Sequence, residues 1–465
     1  RVLGSIRMAQ RDVPEHRALV ERAIELARRA GDRGGESRAV NTLFSSDPDL
    51  ARRVHGLQQA LRLAREGGDR YHERAALHNL ALTYNQLGLM RRALRHIGEA
   101  VAIAEGRVAP SALLNPLGIV CILQLKLGLR EAFMQTLGRV RELSATALAA
   151  GEDPQRVTEL TAAAEARAVA WMAPGPAAQH WRSSTAVYLA SARNAWVAPL
   201  VLAIQAQLQL AAGQPRAALR SSSDAVARLD ALQGRPGGGS ESHAHVRWQH
   251  ARALGVNGRA AEAAAAAEAA YLTLVQAAAE LGDEGLRRSY LHAPTSHAEL
   301  VAGWVAMARG SALPEARWNA HLQGAAELHQ SIGRLVDTGL RLNEQPDEAT
   351  LRDFLLDEAA ELLGARRVLL VLEGPTGPRI AGAHLPEGEC VDGLFRAVQP
   401  WLDEARSTRT ARLRHGPDGV QAIDQRSCLI APMVAQQQLL GFLYADLDGL
   451  FGPVAGHQGL ALVDD

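Results

Sequence analysis

The apolar positions between Leu77 and Ala104 fall into two helical stripes separated by a glycine. Leu77, Leu80, Ala81 and Tyr84 recur three and four residues apart, so they share one face of a helix. Leu87-Gly88 interrupts the pattern, and Gly suits the left-handed backbone that closes a helix. Ala93, Leu94, Ile97, Ala100 and Val101 then form a second stripe, with Arg91, Arg92, Arg95 and Glu99 expected off it. One such hairpin cannot bury both of its apolar faces and needs neighbours stacked on either side.

The same rhythm recurs along the first two thirds of the chain. The pattern predicts helices over Val20–Arg29, Glu36–Phe44, Leu50–Arg65, Pro116–Leu127 and Glu131–Leu143, with Gly31-Asp32 and Gly68-Asp69 as stops. Pro154–Met172 reads as a helix broken by Pro174-Gly175-Pro176, and Gln179–Ala192 resumes it. Val197–Ala212 and Ala217–Leu229, then Ala244–Gly255 and Ala260–Val275, restore the repeat on either side of a Gly-rich loop. Glu284–Leu291 and His297–Arg309 are expected to cap the array.

Ala81, Tyr84, Gly88, Ala93 and Ala100 sit where the tetratricopeptide repeat places its small, aromatic and turn residues. The array therefore resembles a divergent member of that family. Leu77 replaces the early large aromatic, Phe133 stands where Ala is usual, and Gly88 to Gly128 gives a long period of about 40 residues. The resemblance implies a solenoid that binds a protein segment or docks a neighbouring domain; a rigid spacer is the plainer alternative.

The period then changes. Glu315–Leu342 is expected to be a long helix whose Leu328, Ile332, Leu335 and Leu342 form a short coiled-coil-like seam, suited to its own domain or to a homodimer. Asp347–Leu363 reads as an amphipathic helix, with Leu351, Phe354, Leu355, Ala359 and Leu362 against Arg352, Asp353, Asp357 and Glu361. Arg367–Leu372 is apolar on both faces, as in a strand covered from two sides. Arg379–His384 and Thr408–Leu413 read as further strands, and Val391–Ala405 as a covering helical segment. Ser427–Val434 and Leu439–Leu447 form a hairpin, with a closing helix from about Ala455.

Pro432, Gly441, Leu443, Asp446 and Phe451 lie in the stretch Ser427–Leu447 and just beyond it, as in the closing hairpin of a GAF domain, which the last third resembles. That family comprises sensory modules that hold a small ligand between sheet and cover, or that mediate dimers. The resemblance implies a pocket lined by Cys390, Phe395, Cys428, Ile430, Phe442 and Tyr444. The cyclic-nucleotide signature of the family is absent, Gly449, Phe451 and Gly452 standing in its place.

The expected fold is thus multidomain. It comprises an all-α tetratricopeptide-like solenoid over residues 1–312, a connecting helix over 313–346 and an α+β GAF-like domain over 347–465. Composition narrows the chemistry. Hydrophobic content is 47% but aromatic content only 4%, so Ala and Leu carry the apolar share. The formal net charge is +0, which implies no general attraction to nucleic acid or an anionic membrane. Lys126 is the lone lysine and lies in an ordinary helical context, so a phosphate-binding P-loop is excluded. Cys121, Cys390 and Cys428 form no disulfide framework or metal spacing, which fits a reducing cytoplasm.

Other candidates favour structural roles. His243 and His250 share a helical face that His245 does not, against a metal site. Cys390 and Cys428 suggest the GAF-type methionine sulfoxide reductases, but no polarising neighbour stands beside them. Asp403 and Glu404 point different ways, Arg366, Arg367, Arg409, Arg412 and Arg414 read as strand-edge charges, and Trp171, Trp181, Trp196 and Trp248 as packing residues. No catalytic residue, metal or cofactor is expected. The expected function is a regulatory or sensory segment of a larger bacterial signalling protein, whose nucleotide cyclase, histidine kinase or transcription-regulating output lies outside this chain. Its partners would be a protein on the array and a small ligand in the GAF-like domain. The alternative is a scaffold whose pocket is filled by its own side chains.

Overall fold

A computed structural model describes residues 13–45, 47, 49–191, 197–232, 240–281, 284–322, 342, 347–375, 377–386, 389–416, 421–435 and 438–451. The chain divides into two compact units, with the main boundary between Leu274 and Val275; Leu87–Leu89 cluster with the second.

The first unit is a run of helices: α1 (Val13–Ala30), α2 (Arg33–Phe44), α3 (Leu50–Glu66), α4 (Arg70–Gln86), α5 (Met90–Ala104), α6 (Ser111–Lys126) and α7 (Arg130–Ala149). It continues with α8 (Pro154–Glu165), a 3-10 turn (Ala166–Trp171), α9 (Pro174–Ala190), α10 (Ala198–Ala211), α11 (Pro215–Ala231), α12 (Ser240–Val256) and α13 (Ala260–Ala279), whose last residues, from Val275, belong to the second unit. From α1 to α12 each helix packs on the next, and α6 on α8 and α10 on α12 also touch. That neighbour-to-neighbour packing is the mark of a helical repeat. Gly31, Gly68, Gly88, Gly128, Gly213 and Gly258 close helices with φ between 64° and 82°, a region open to Gly because it has no Cβ.

Small residues hold the hairpins close. Ala60, Ala64, Ala76, Ala81, Ala93 and Ala100 are all at most 2% exposed, beside fully buried Leu77, Leu80 and Ile97. Tyr84 is buried with them; its hydroxyl accepts from Gln58 Nε2 at 2.9 Å and its ring stacks on His96 at 5.4 Å. Arg92, expected off the apolar stripe, is buried instead. Its guanidinium lies 5.4 Å from the Tyr84 ring centre, where stem and charge are both accommodated.

Two proline readings are corrected. Pro174 does not end a helix but begins α9 at a position that needs no N–H donor, and the preceding segment stops at Glu165. Pro116 lies inside α6, which starts at Ser111. Trp181 donates from its indole to the Val201 carbonyl at 3.1 Å, and Trp171 packs on Phe133. Trp196 lies outside the described residues.

The second unit contains α14 (Glu284–His292), α15 (Thr295–Gly310), the short α16 (Glu315–Trp318), α17 (Glu348–Leu363) and α18 (Val391–Thr408). Its sheet comprises β1 (Arg367–Leu372), β2 (Arg379–His384), β3 (Arg412–Gly416), β4 (Arg426–Ala435) and β5 (Gln438–Asp448). The five strands pair antiparallel in the order β2-β1-β5-β4-β3. β1 is covered on both faces, as its composition predicts. Val368 and Leu370 face α17 with Leu356, Ala359 and Ala360, while Leu369 and Val371 face α18 with Val398 and Leu402.

Helix α17 opens on Asp347, whose carboxylate accepts from the Thr350 N–H at 2.8 Å, and closes at Gly364 with φ 60°. It is not amphipathic in the expected sense, since Asp357 and Glu361 are buried as well. On this helix packs α14. His292 of α14 donates through Nε2 to the Gly364 carbonyl at 2.9 Å. Glu284–Leu291 and His297–Arg309, expected to cap the array, therefore lie in the second unit. The long helix expected from Glu315 ends at Trp318 and is followed by a 3-10 turn over Ala320–Leu322. Leu328, Ile332 and Leu335 of the seam, and the closing helix near Ala455, lie outside the described residues. β3 begins at Arg412, later than the strand expected from Thr408, because α18 continues to Thr408. Among the described residues no helix is long and apolar enough to cross a membrane.

Candidate functional site

Five of the six residues singled out for a ligand pocket, all but Cys390, come together between the sheet and α18. The antiparallel register of β4 and β5 sets Ile430 opposite Tyr444 and Pro432 opposite Phe442. Alternation along each strand then turns Cys428 and Ile430, with Phe442 and Tyr444, toward the same face. There they pack with Leu369, Val371, Val398, Leu402 and Ala405. Ile430, Phe442 and Tyr444 are each at most 2% exposed. Phe395 is partly buried against this cluster. Cys390 is apart: it is exposed, at the position preceding α18.

A polar group closes one end of the apolar layer. Arg367 Nε donates to Asp446 Oδ2 at 2.6 Å, with a second contact from Nη2, and Nη1 reaches Glu389 Oε2 at 3.3 Å. The Tyr444 hydroxyl donates to the same carboxylate oxygen at 2.8 Å. Burial raises the Tyr444 pKa, and the Asp446 carboxylate raises it further. Burial also pushes the Cys428 thiol up to about 11, with Asp446 adding to the shift. A thiol so placed is held protonated and is a poor nucleophile. The layer's edge carries Arg406, bonded to Glu373 at 2.8 Å and lying 5.4 Å from the Phe442 ring centre.

Arg367, expected as a strand-edge charge, is thus half of a partly buried ion pair between two central strands. The sequence signal lies in the register: Arg367 sits directly opposite Asp446 across β1 and β5, and opposed residues share a face. Arg414 pairs with Glu404 and lies 5.7 Å from the Trp401 ring centre. In the first unit His250 Nδ1 lies 3.0 Å from Ser222 Oγ. Burial, with Arg247 or Arg259 nearby, lowers the pKa of His243 and His250. Among the described residues no group of three His, Cys, Asp or Glu side chains is arranged to hold a metal ion.

No protein-family model matches the chain, and no curated protein matches it. Among solved structures it is similar to one described as a "Circular tandem repeat protein with novel repeat topology and enhanced subunit contact surfaces". Identity is 18%, over 75% of this chain and 77% of that one, with a TM-score of 0.14. So low a score carries no argument, and the repeat architecture rests on the helix packing itself.

Proposed function

We propose that this chain is a non-catalytic regulatory segment of a multidomain bacterial signalling protein, working through protein contacts. The first unit is a tetratricopeptide-like array that docks a protein segment or a neighbouring domain, the use to which stacked helix pairs are suited. The second is a GAF-like module that transmits conformational change through its helices. One observation carries the choice of docking over ligand sensing: the layer between sheet and α18 is filled by Ile430, Phe442 and Tyr444, each at most 2% exposed. A small ligand entering there would have to displace well-packed side chains. Thermal melting of the full chain with a metabolite panel at millimolar concentration tests this. No shift that depends on the layer between sheet and α18 is expected. A shift abolished by replacing Phe442 would overturn the docking reading and restore a sensor.

A further inference from the structure

The sheet of the second unit ends on β3, and among the described residues no strand pairs with its outer edge. Unpaired N–H and C=O groups along an edge strand are a template for another extended chain. The side chains decide which chain fits. Arg412 lies opposite Ile430 and Arg414 opposite Cys428, so both arginines share the α18 face with those residues. Gly416 comes next on that face and lies opposite Arg426 of β4. A Cβ at Gly416 would meet nothing within 4 Å, which leaves the Arg426 side chain an open path over it to the edge. The edge therefore carries three cations on one face at the strand period, about 7 Å apart.

The outer two are open to a partner. Arg414 is paired with Glu404 of α18. Arg412 and Arg426 are exposed, and neither guanidinium has an ion pair among the described residues. The neighbouring carboxylates are taken: Asp403 by Arg406, Asp424 by Arg309, and Asp448, opposite Arg426 on β5, by Arg366 at 3.4 Å. On the other face Leu413 lies opposite Leu429, both half-buried. Edge charge deters a neutral or basic strand and favours an acidic one, repulsion and attraction together setting the partner. We propose that the β3 edge binds an extended acidic segment of a partner protein by strand addition. Two of its carboxylates, four residues apart on one face, meet Arg412 and Arg426. An uncharged residue between them faces the Arg414–Glu404 pair, and an apolar residue on the reverse face packs on Leu413. This contact belongs to the second unit and does not rest on docking by the array.

Fluorescence anisotropy of the full chain with labelled peptides tests this. The probe is a short Thr/Val peptide with two Glu four residues apart. It is expected to bind at sub-millimolar concentration, and more weakly as salt rises, since exposed charges are screened. Moving one Glu by a single residue turns it to the reverse face and should weaken binding roughly twofold or more. Arg412→Gln and Arg426→Gln should each weaken binding about twofold to fivefold, the worth of an exposed ion pair, and together roughly tenfold. Melting should be unchanged, because neither guanidinium has an ion pair to lose among the described residues. N-methylation of alternate residues removes the N–H donors along one edge of the peptide. One of the two methylated sets should abolish binding and the other retain it. No binding at millimolar peptide would overturn the proposal. So would equal binding of both methylated sets, or affinity unchanged in the double variant. Displacement of the peptide by a short RNA of equal charge at equal concentration would also overturn it, making the edge a general anion patch.

Discussion

Replacing Gly285 by alanine should destabilise the second unit, although the same change in most helices stabilises. Gly285 lies in α14 where that helix crosses the last turn of α17. A Cβ there falls 2.3 Å from the carbonyl oxygens of both Glu361 and Leu362 and 2.7 Å from the Leu362 carbonyl carbon. These are backbone atoms and cannot rotate aside, so the helices must separate by about 1 Å to reach ordinary contact. Separation lengthens the bond from His292 Nε2 to the Gly364 carbonyl, now 2.9 Å. Overpacking of this kind costs about 1–3 kcal/mol, and the weakened hydrogen bond about 1 kcal/mol. The gain in helix propensity returns at most about 1 kcal/mol. The net is about 2 kcal/mol of destabilisation, or roughly 5 °C in melting temperature for a unit of this size. Scanning calorimetry of the full chain measures it. Gly138→Ala in α7 is the control: its Cβ meets nothing within 4 Å, so it should stabilise by up to about 1 kcal/mol. If Gly285→Ala raised the melting temperature as Gly138→Ala does, the close crossing of α14 and α17 would be refuted.

Two further outcomes follow from buried titratable groups. Burial depresses His292 and His321 from 6.5 to about 4, each with Nε2 donating to a backbone carbonyl, Gly364 and Leu450 respectively. The folded state therefore holds these rings neutral while the unfolded chain protonates them first. The stability they permit is present above pH 6.5 and is lost as pH falls toward about 4, by at most roughly 3 kcal/mol per ring. Urea unfolding across that range should show the loss, and His292→Gln should flatten part of it; an identical slope in the variant would refute the assignment. Thiol labelling of the native chain should modify Cys390 alone, since Cys121 and Cys428 are buried with their pKa raised to about 12 and about 11. All three should react after unfolding, and native labelling of Cys428 as fast as Cys390 would contradict the packed layer.

What could be read from the chain alone was local. β1 and β2 have the bounds that alternation and flanking turns predict, and Asp347 and Gly364 mark the ends of α17 by capping chemistry contained within a few residues. The recurring glycines likewise announce their helix ends, because the left-handed turn is a property of one residue's backbone. Of the pocket candidates, Cys428, Ile430, Phe442 and Tyr444 were legible from the hairpin, since strand alternation turns them to one side.

The tertiary structure decided what depends on which surfaces meet. Asp357 and Glu361 look solvent-facing in sequence, yet they are buried in a helix on which α14, distant along the chain, packs. Arg367 becomes an inter-strand partner only once β1 and β5 take their register. Gln205 is buried only because α9 lies against α10, where its Nε2 donates to the Ala178 carbonyl at 3.2 Å. Periodicity records which side of an element is apolar; it holds no information on the identity of the covering element, which is set by contacts between residues far apart in the chain.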